Sequence, residues 1–218
     1  VRLRTEKGVH RVTPGLTGWA QVNGRDELPI PVKVGFDAEY IERRSMLFDL
    51  EIIRIGGGFD PKAYVPLLEA GAALQAKAVL VAGDDTNEAR LTEGYARLCE
   101  LMAPYGMTAD LEFMPWTAVP DANSALRVVN AAGRPANAGI LVDALHFGRS
   151  RTTLDDIRAL PRELLHYAQI CDALAGLHFS TEQMIHTARC ERLLPGEGNI
   201  DVTGLFAALP ADLPVSVE

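Results

Sequence analysis

The sequence predicts an α/β fold, a parallel array of βα units that makes up part of a (β/α)₈ barrel and follows an unrelated N-terminal leader. Three observations carry this. From residue 48 onward, short apolar runs alternate with longer stretches of helical period, one cycle taking roughly 25 to 35 residues. The runs are nearly continuous in apolar residues, as parallel strands covered on both faces require. Polar groups recur at the C-terminal ends of successive runs, where a (β/α)₈ barrel gathers its active site. The doubly wound sheet, the other parallel candidate, lacks its marker: no GxGxxG follows an early strand, and Gly56-Gly57-Gly58 has no phosphate-loop Lys and reads as a turn.

The expected strands are FDLEIIRI (48–55), KAVLVAG (77–83), MTADLEFM (107–114), AGILVDAL (138–145), LHYAQIC (165–171) and PVSVE (214–218). Helical stretches fall at about 61–75, 86–104, 121–132, 153–159 and 202–209, with Asp85 or Thr86 capping the second and Gly106 stopping it. Six strands can be counted where a barrel has eight, so the first two barrel strands are expected to be missing. Residues 1–45 do not supply them. TPGLTGWAQVNGRDELPIP is dominated by turn residues, Asn23-Gly24 reads as a turn, and Pro29 and Pro31 bar a central strand. A helix from Pro31 to Arg44 is expected, with Leu16 to Val22 an edge strand at best. The chain therefore divides into a leader, 1–53, and a barrel portion, 54–218.

Composition excludes several classes. With 218 residues, 48% apolar and 23% charged, the chain is an ordinary globular protein. No run approaches the ~20 apolar residues of a spanning helix, and VRLRTEKGVH is charged where a signal peptide is apolar, which together point to a cytoplasmic location. Cys99, Cys171 and Cys190 are odd in number and form no CxxC, so buried free thiols are expected. The net charge of −8 lies wholly in the barrel portion, because the leader carries eight basic and eight acidic residues. An acidic surface argues against nucleic acid as a partner. Arg2, Arg4, Lys7 and Arg11 read as a solvated face.

The strand ends carry the candidate chemistry: Glu112 in DLEFMPW, Asp143 and His146 in LVDALHF, Gln169 and Asp172 in YAQICDA, and Glu218 in VSVE. Carboxylates buried at the ends of apolar strands are costly unless paired or bound to a cation, so their convergence on one barrel mouth indicates a metal site. An oxygen-rich set suits Mg²⁺ or Mn²⁺, with Co²⁺ next, better than a structural zinc.

These stretches, with RLLPGEGNID and the closing VSVE, resemble the sugar phosphate isomerase/epimerase family, the xylose isomerase-like TIM barrels. The resemblance implies four metal ligands at strand ends, which fall on Glu112, Asp143, Gln169 and Glu218; the third is often His in the family, so Gln169 is a departure. It further implies substrate binding by His146 and Arg192, and an acid/base pair formed by Glu112 and Glu218 on opposite faces of a sugar or sugar phosphate. The implied reaction moves a proton at a carbon next to a carbonyl through a metal-stabilised enediolate. PGEG at 195–198 matches the loop before the last helix, where it either touches substrate or simply turns.

The leader resembles something else. TPGLTGWAQVNGR followed by FDAEYIERRSMLFDLEII is similar to the C-terminal end of the bacterial sugar transferases, which move a phosphosugar from a nucleotide sugar to polyprenyl phosphate at the membrane. The matching positions include Pro14, Gly15, Thr17, Gly18, Gln21, Gly24, Arg25, Asp37, Tyr40, Ser45 and Asp49; the family's catalytic Asp-Glu pair and membrane helix lie upstream of this stretch. Two alternatives to a sugar isomerase follow: a transferase fragment that contacts membrane through the leader, and a non-catalytic chimeric product whose open sheet edges favour a homo-oligomer.

Overall fold

The structure, a computed structural model, describes residues 52–174 and 179–217. The expected turn, helix and edge strand of the leader, residues 48–51 of the first expected strand, and Glu218 lie outside the described residues. The sheet has six strands, β1 (Ile53–Ile55), β2 (Ala78–Gly83), β3 (Thr108–Glu112), β4 (Ala138–Asp143), β5 (Ala168–Ile170) and β6 (Val215–Val217). They are hydrogen-bonded in sequence order and all parallel, the pattern of a partial (β/α)₈ barrel. Helices α1 (Val65–Ala73), α2 (Glu88–Met102), α3 (Ala122–Ala131), α4 (Ala144–Arg149), α5 (Leu154–Arg158), α6 (Thr181–Cys190) and α7 (Val202–Ala208) connect them.

Strand alternation sorts the side chains into two layers. Val79, Val81, Ala109, Leu111, Ile140 and Val142 join the helices in the main core. On the opposite, lumen face, Ala78, Leu80, Ala82 and Leu141 pack with Met114 and Tyr167. Asp110 and Glu112 on β3, and Gly139 and Asp143 on β4, alternate onto that lumen face as well. Asp110 is buried there, accepting from Thr108 Oγ1 at 2.6 Å and bonded to His166 Nδ1 at 2.6 Å. Gly139 lies between these two groups. A Cβ at Gly139 would overlap Asp110 Oδ1 and stand 2.5 Å from His166 Nδ1. On the outer layer, α2 inserts the buried Tyr95 between β3 and β4; its hydroxyl donates to the Ala109 carbonyl at 2.7 Å and accepts from Gly139 N at 3.1 Å.

Several boundaries differ from the sequence reading, each for a local reason. Asn87, not Asp85 or Thr86, caps α2, its side chain accepting from Arg90 N at 3.0 Å. Asp85 is committed elsewhere: it accepts from Asn87 N at 2.9 Å and pairs with the Arg90 guanidinium at 2.6 Å. The fourth strand stops at Asp143, because that residue turns the apolar run into α4. The fifth shrinks to three residues behind a 3₁₀ turn at Arg162–Leu164. The sequence reading missed α6 altogether. It fully buries none of its residues and shows only a short apolar face, Met184, Ile185 and Ala188, although the Ser180/Gln183 capping box marks its start. Cys190 at its end is correspondingly exposed, whereas Cys99 and Cys171 are buried as expected.

Candidate metal centre

The C-terminal ends of β3 and β4 present the two carboxylates. Glu112 is the last residue of β3 and pairs in register with Leu141, so Asp143 emerges two residues further along the neighbouring strand, on the same face. Asp143 then caps α4, its Oδ1 accepting from His146 N at 3.0 Å. That cap fixes a three-residue spacing and lays the imidazole over the strand end from which the helix springs.

Glu112, Asp143 and His146 each offer one ligand atom, all within 4.8 Å of one another, and all three residues are buried. His146 Nε2 stands 3.6 Å from Glu112 Oε1, too long for a hydrogen bond. Two donors each about 2.1 Å from a shared ion stand roughly 3.0 to 3.4 Å apart when cis and about 4.2 Å when trans, so small shifts would bring the set onto one cation. The other ring nitrogen, His146 Nδ1, is buried and has no hydrogen-bond partner among the described residues. Such an orphan is expensive in a finished structural core and is an ordinary feature of a site that binds something.

The electrostatics suit a ligand set. Burial pushes the His146 pKa down to about 4, so the ring is neutral at pH 7 and its contact with Glu112 is not an ion pair. Burial alone would raise the Asp143 carboxyl. The Arg192 charge outweighs it, aided by hydrogen bonds from Arg192 and the His146 amide, and holds Asp143 below its ordinary range. Arg192 Nη1 donates to Asp143 Oδ2 at 2.6 Å, and the same nitrogen lies 3.1 Å from Cys171 Sγ. Burial, followed by the Asp143 charge, pushes that thiol up to about 11, which keeps it protonated. Two carboxylates and a neutral imidazole, with a further amide oxygen nearby on Gln169, form a donor set for a hard or borderline divalent cation, and these residues fit one.

The structure brings most of the expected site residues together. Gln169 on β5 pairs in register with Asp143 and faces the lumen, and Ser216 of β6 pairs with Gln169. Glu218, two residues beyond Ser216, lies outside the described residues. Arg192 reaches the cluster through Asp143. Asp172, the remaining strand-end carboxylate, is turned toward the 193–200 segment. Two neighbours escaped the sequence reading. Trp116, on the loop after β3, packs its ring against His146 in a T-shaped contact with centroids 4.9 Å apart. Cys171 lies under Arg192. Trp116 was visible as an aromatic four residues past a strand-end carboxylate; nothing in the sequence pairs Cys171 with Arg192.

Residues 63–218 match the family described as xylose isomerase-like TIM barrel. The chain belongs to this family. Residues 2–55 match the bacterial sugar transferase family, so β1 lies within the stretch that matches the transferases while pairing with β2 of the barrel. The uncharacterized sugar transferase EpsL of Bacillus subtilis (strain 168) is 43% identical over 53 residues, 23% of this chain and 26% of that protein. The chain thus spans only about a quarter of that relative's length. Among solved structures, a xylose isomerase-like TIM barrel/4-hydroxyphenylpyruvate dioxygenase fusion protein superposes with a TM-score of 0.67 at 21% identity, covering 76% of this chain and 28% of that one. The IOLI protein with a binding zinc atom gives a TM-score of 0.62 at 18% identity, covering 100% of this chain and 83% of the other. D-allulose 3-epimerase from Methylomonas sp., in complex with D-allulose, gives 0.55 at 18% identity, covering 72% and 55%. At these identities the likeness is one of fold. No helix of the described residues is long and apolar enough to cross a membrane.

Proposed function

We propose that the barrel is a divalent-metal-dependent sugar or sugar phosphate isomerase or epimerase that moves a proton at a carbon next to a carbonyl. One observation carries the reading: Glu112, Asp143 and His146 converge, buried, at the mouth where such barrels place their chemistry. Membership of the xylose isomerase-like family and the fold shared with a D-allulose 3-epimerase and a zinc-binding IOLI protein support it.

In this reading Glu112, Asp143, Gln169 and Glu218 hold Mn²⁺ or Mg²⁺, with Co²⁺ as a third option. The bound ion supplies Lewis-acid polarisation of the substrate oxygens, which lowers the cost of negative charge beside the reacting carbon. Glu112 takes or returns the proton on one face of the substrate, and Glu218 serves the other. Neutral His146 donates or accepts a hydrogen bond at a substrate oxygen without adding charge. Trp116 covers the ring of His146 and helps keep water out. Arg192 orients Asp143 and serves as a substrate-binding residue.

The test is solvent exchange. With Mn²⁺ present, incubation with a panel of ketoses and their phosphates in D₂O should wash deuterium into the position next to the carbonyl of at least one of them, read by NMR, and Glu112→Gln should abolish it. Binding of Mn²⁺ without exchange in any member would remove the isomerase reading. The match of residues 2–55 favours a second reading, a fragment of a membrane-associated transferase acting on a nucleotide sugar and polyprenyl phosphate. Saturable UDP-sugar binding, unaffected by Glu112→Gln, would support it.

A further inference from the structure

Asp172, two residues past β5, is a buried carboxylate that the metal reading leaves without a role. Its Oδ1 accepts from Ala173 N at 2.8 Å and Ile200 N at 3.0 Å, and its Oδ2 accepts from Gly196 N at 3.1 Å. Its backbone forms an antiparallel bridge with Leu193, donating to that carbonyl at 2.7 Å and accepting from Leu193 N at 2.9 Å. Asn199 N closes the wrap on the Ala173 carbonyl at 2.9 Å. Residues 193–200 are thus folded around one carboxylate.

Burial alone would raise the Asp172 carboxyl, but N–H donors from Ile200, Ala173, Gly198 and Gly196 outweigh it and hold the group below its ordinary range. An ionised acceptor of several amides is a strong anchor. The two glycines of the Pro195-Gly196-Glu197-Gly198 loop serve the same anchor. Gly196 has a φ of 93°, and a Cβ on Gly198 would overlap Asp172 Oδ1 and the Ala173 carbonyl.

Arg192 immediately precedes the bridged Leu193. On its other side it follows α6, where Glu191 N donates to the Thr187 carbonyl at 3.1 Å and Arg192 Nε to the Ala188 carbonyl at 2.9 Å, and α6 buries none of its own residues. The Asp172 bridge restrains the Arg192 backbone from its C-terminal side and ties it to the end of β5.

We propose that Asp172 is a positioning residue: by folding residues 193–200 onto the end of β5 it fixes the Arg192 guanidinium on Asp143 and over Cys171. The further consequence, that this holds Asp143 in its metal-binding orientation, rests on the isomerase reading; the placement of Arg192 does not.

The chain carries its own reporters. Cys190 is exposed, Cys99 is buried on the core-facing side of α2, and Cys171 lies under Arg192. Native protein labelled with N-ethylmaleimide and mapped by peptide mass spectrometry gives a rate for each thiol. Asp172→Asn keeps the volume but replaces an accepting oxygen with a donor; Gly198→Ala strains the same anchor and serves if the first variant fails to fold. Cys171 should label at least about tenfold faster in either variant, as local opening without global unfolding predicts, reaching the rate of Arg192→Ala and rising no further in the double variant. Cys99 should stay protected. Cys171 protection unchanged in both anchor variants, or Cys171 and Cys99 rising together, overturns the proposal; so does a thiol that stays protected in Arg192→Ala.

Titration of the same proteins with Mn²⁺ separates the two ideas. Loss of an outer-shell partner should weaken Mn²⁺ on the order of tenfold. If wild type binds no Mn²⁺ while the labelling pattern holds, the metal reading falls and the positioning role stands.

Discussion

Acidification should destabilise this protein through His146, and by an amount the structure lets us work out. The imidazole is buried and its pKa lies at about 4 in the folded chain, against about 6.5 when unfolded. In that window the unfolded chain binds a proton that the folded chain refuses. Stability is therefore full above pH 6.5 and is lost as pH falls toward 4. Each unit is worth about 1.4 kcal/mol, so moving from pH 7.5 to 4.5 should cost roughly 2 to 3 kcal/mol through this residue, a large part of a typical domain's stability. The Asp143 and Asp172 carboxyls are held below their ordinary range, so their own contributions are lost chiefly below this window. Urea unfolding followed by circular dichroism, with chelator present, should show wild type losing roughly 2 to 3 kcal/mol more than His146→Gln over this range. Equal losses in the two proteins would refute the buried neutral imidazole and with it the electrostatics of the site.

Two further outcomes follow from the lumen and the core. Gly139→Ala forces a methyl between Asp110 and His166 and should destabilise by about 1 to 3 kcal/mol; in a His166→Ala background the penalty should shrink, as read by thermal unfolding of the four proteins of the cycle. Tyr95→Phe strips a partner from the Ala109 carbonyl and the Gly139 amide at once, and should cost about 1 to 3 kcal/mol in denaturant midpoint measurements.

The parallel barrel was legible because its strands are apolar on both faces and its helices beside them carry a clear period. Legibility failed where one element's pattern ran into the next. Ala144 to Phe147 continue the apolar run of β4, and only the Asp143 cap, a geometric event, ends the strand. At α6 the apolar face is short, Met184, Ile185 and Ala188, none of them fully buried, and only the Ser180/Gln183 capping box announces the helix. The site followed the same division. Glu112, Asp143 and His146 were visible because carboxylates and a histidine at the ends of apolar strands conflict with burial. Arg192 entered only through family resemblance, as a substrate-binding residue, and neither its pairing with Asp143 nor its packing on Cys171 was legible, because 49 and 21 residues separate these partners. The roles of Gly139 and Gly198 depend on how closely a carboxylate approaches from another segment, a distance that no local pattern encodes.

The central claim, that Glu112 and Asp143 hold a divalent metal in the buried cluster they share with His146, is tested most directly by calorimetric titration of the chelator-stripped chain with Mn²⁺. One ion should bind per chain and, at a free concentration of about a hundred times Kd, raise stability by about 2.7 kcal/mol. Glu112→Gln and Asp143→Asn should each abolish both the heat and the stabilisation while the apo proteins remain folded. Wild type that takes up no ion, or variants that bind Mn²⁺ as tightly as wild type, would contradict the account.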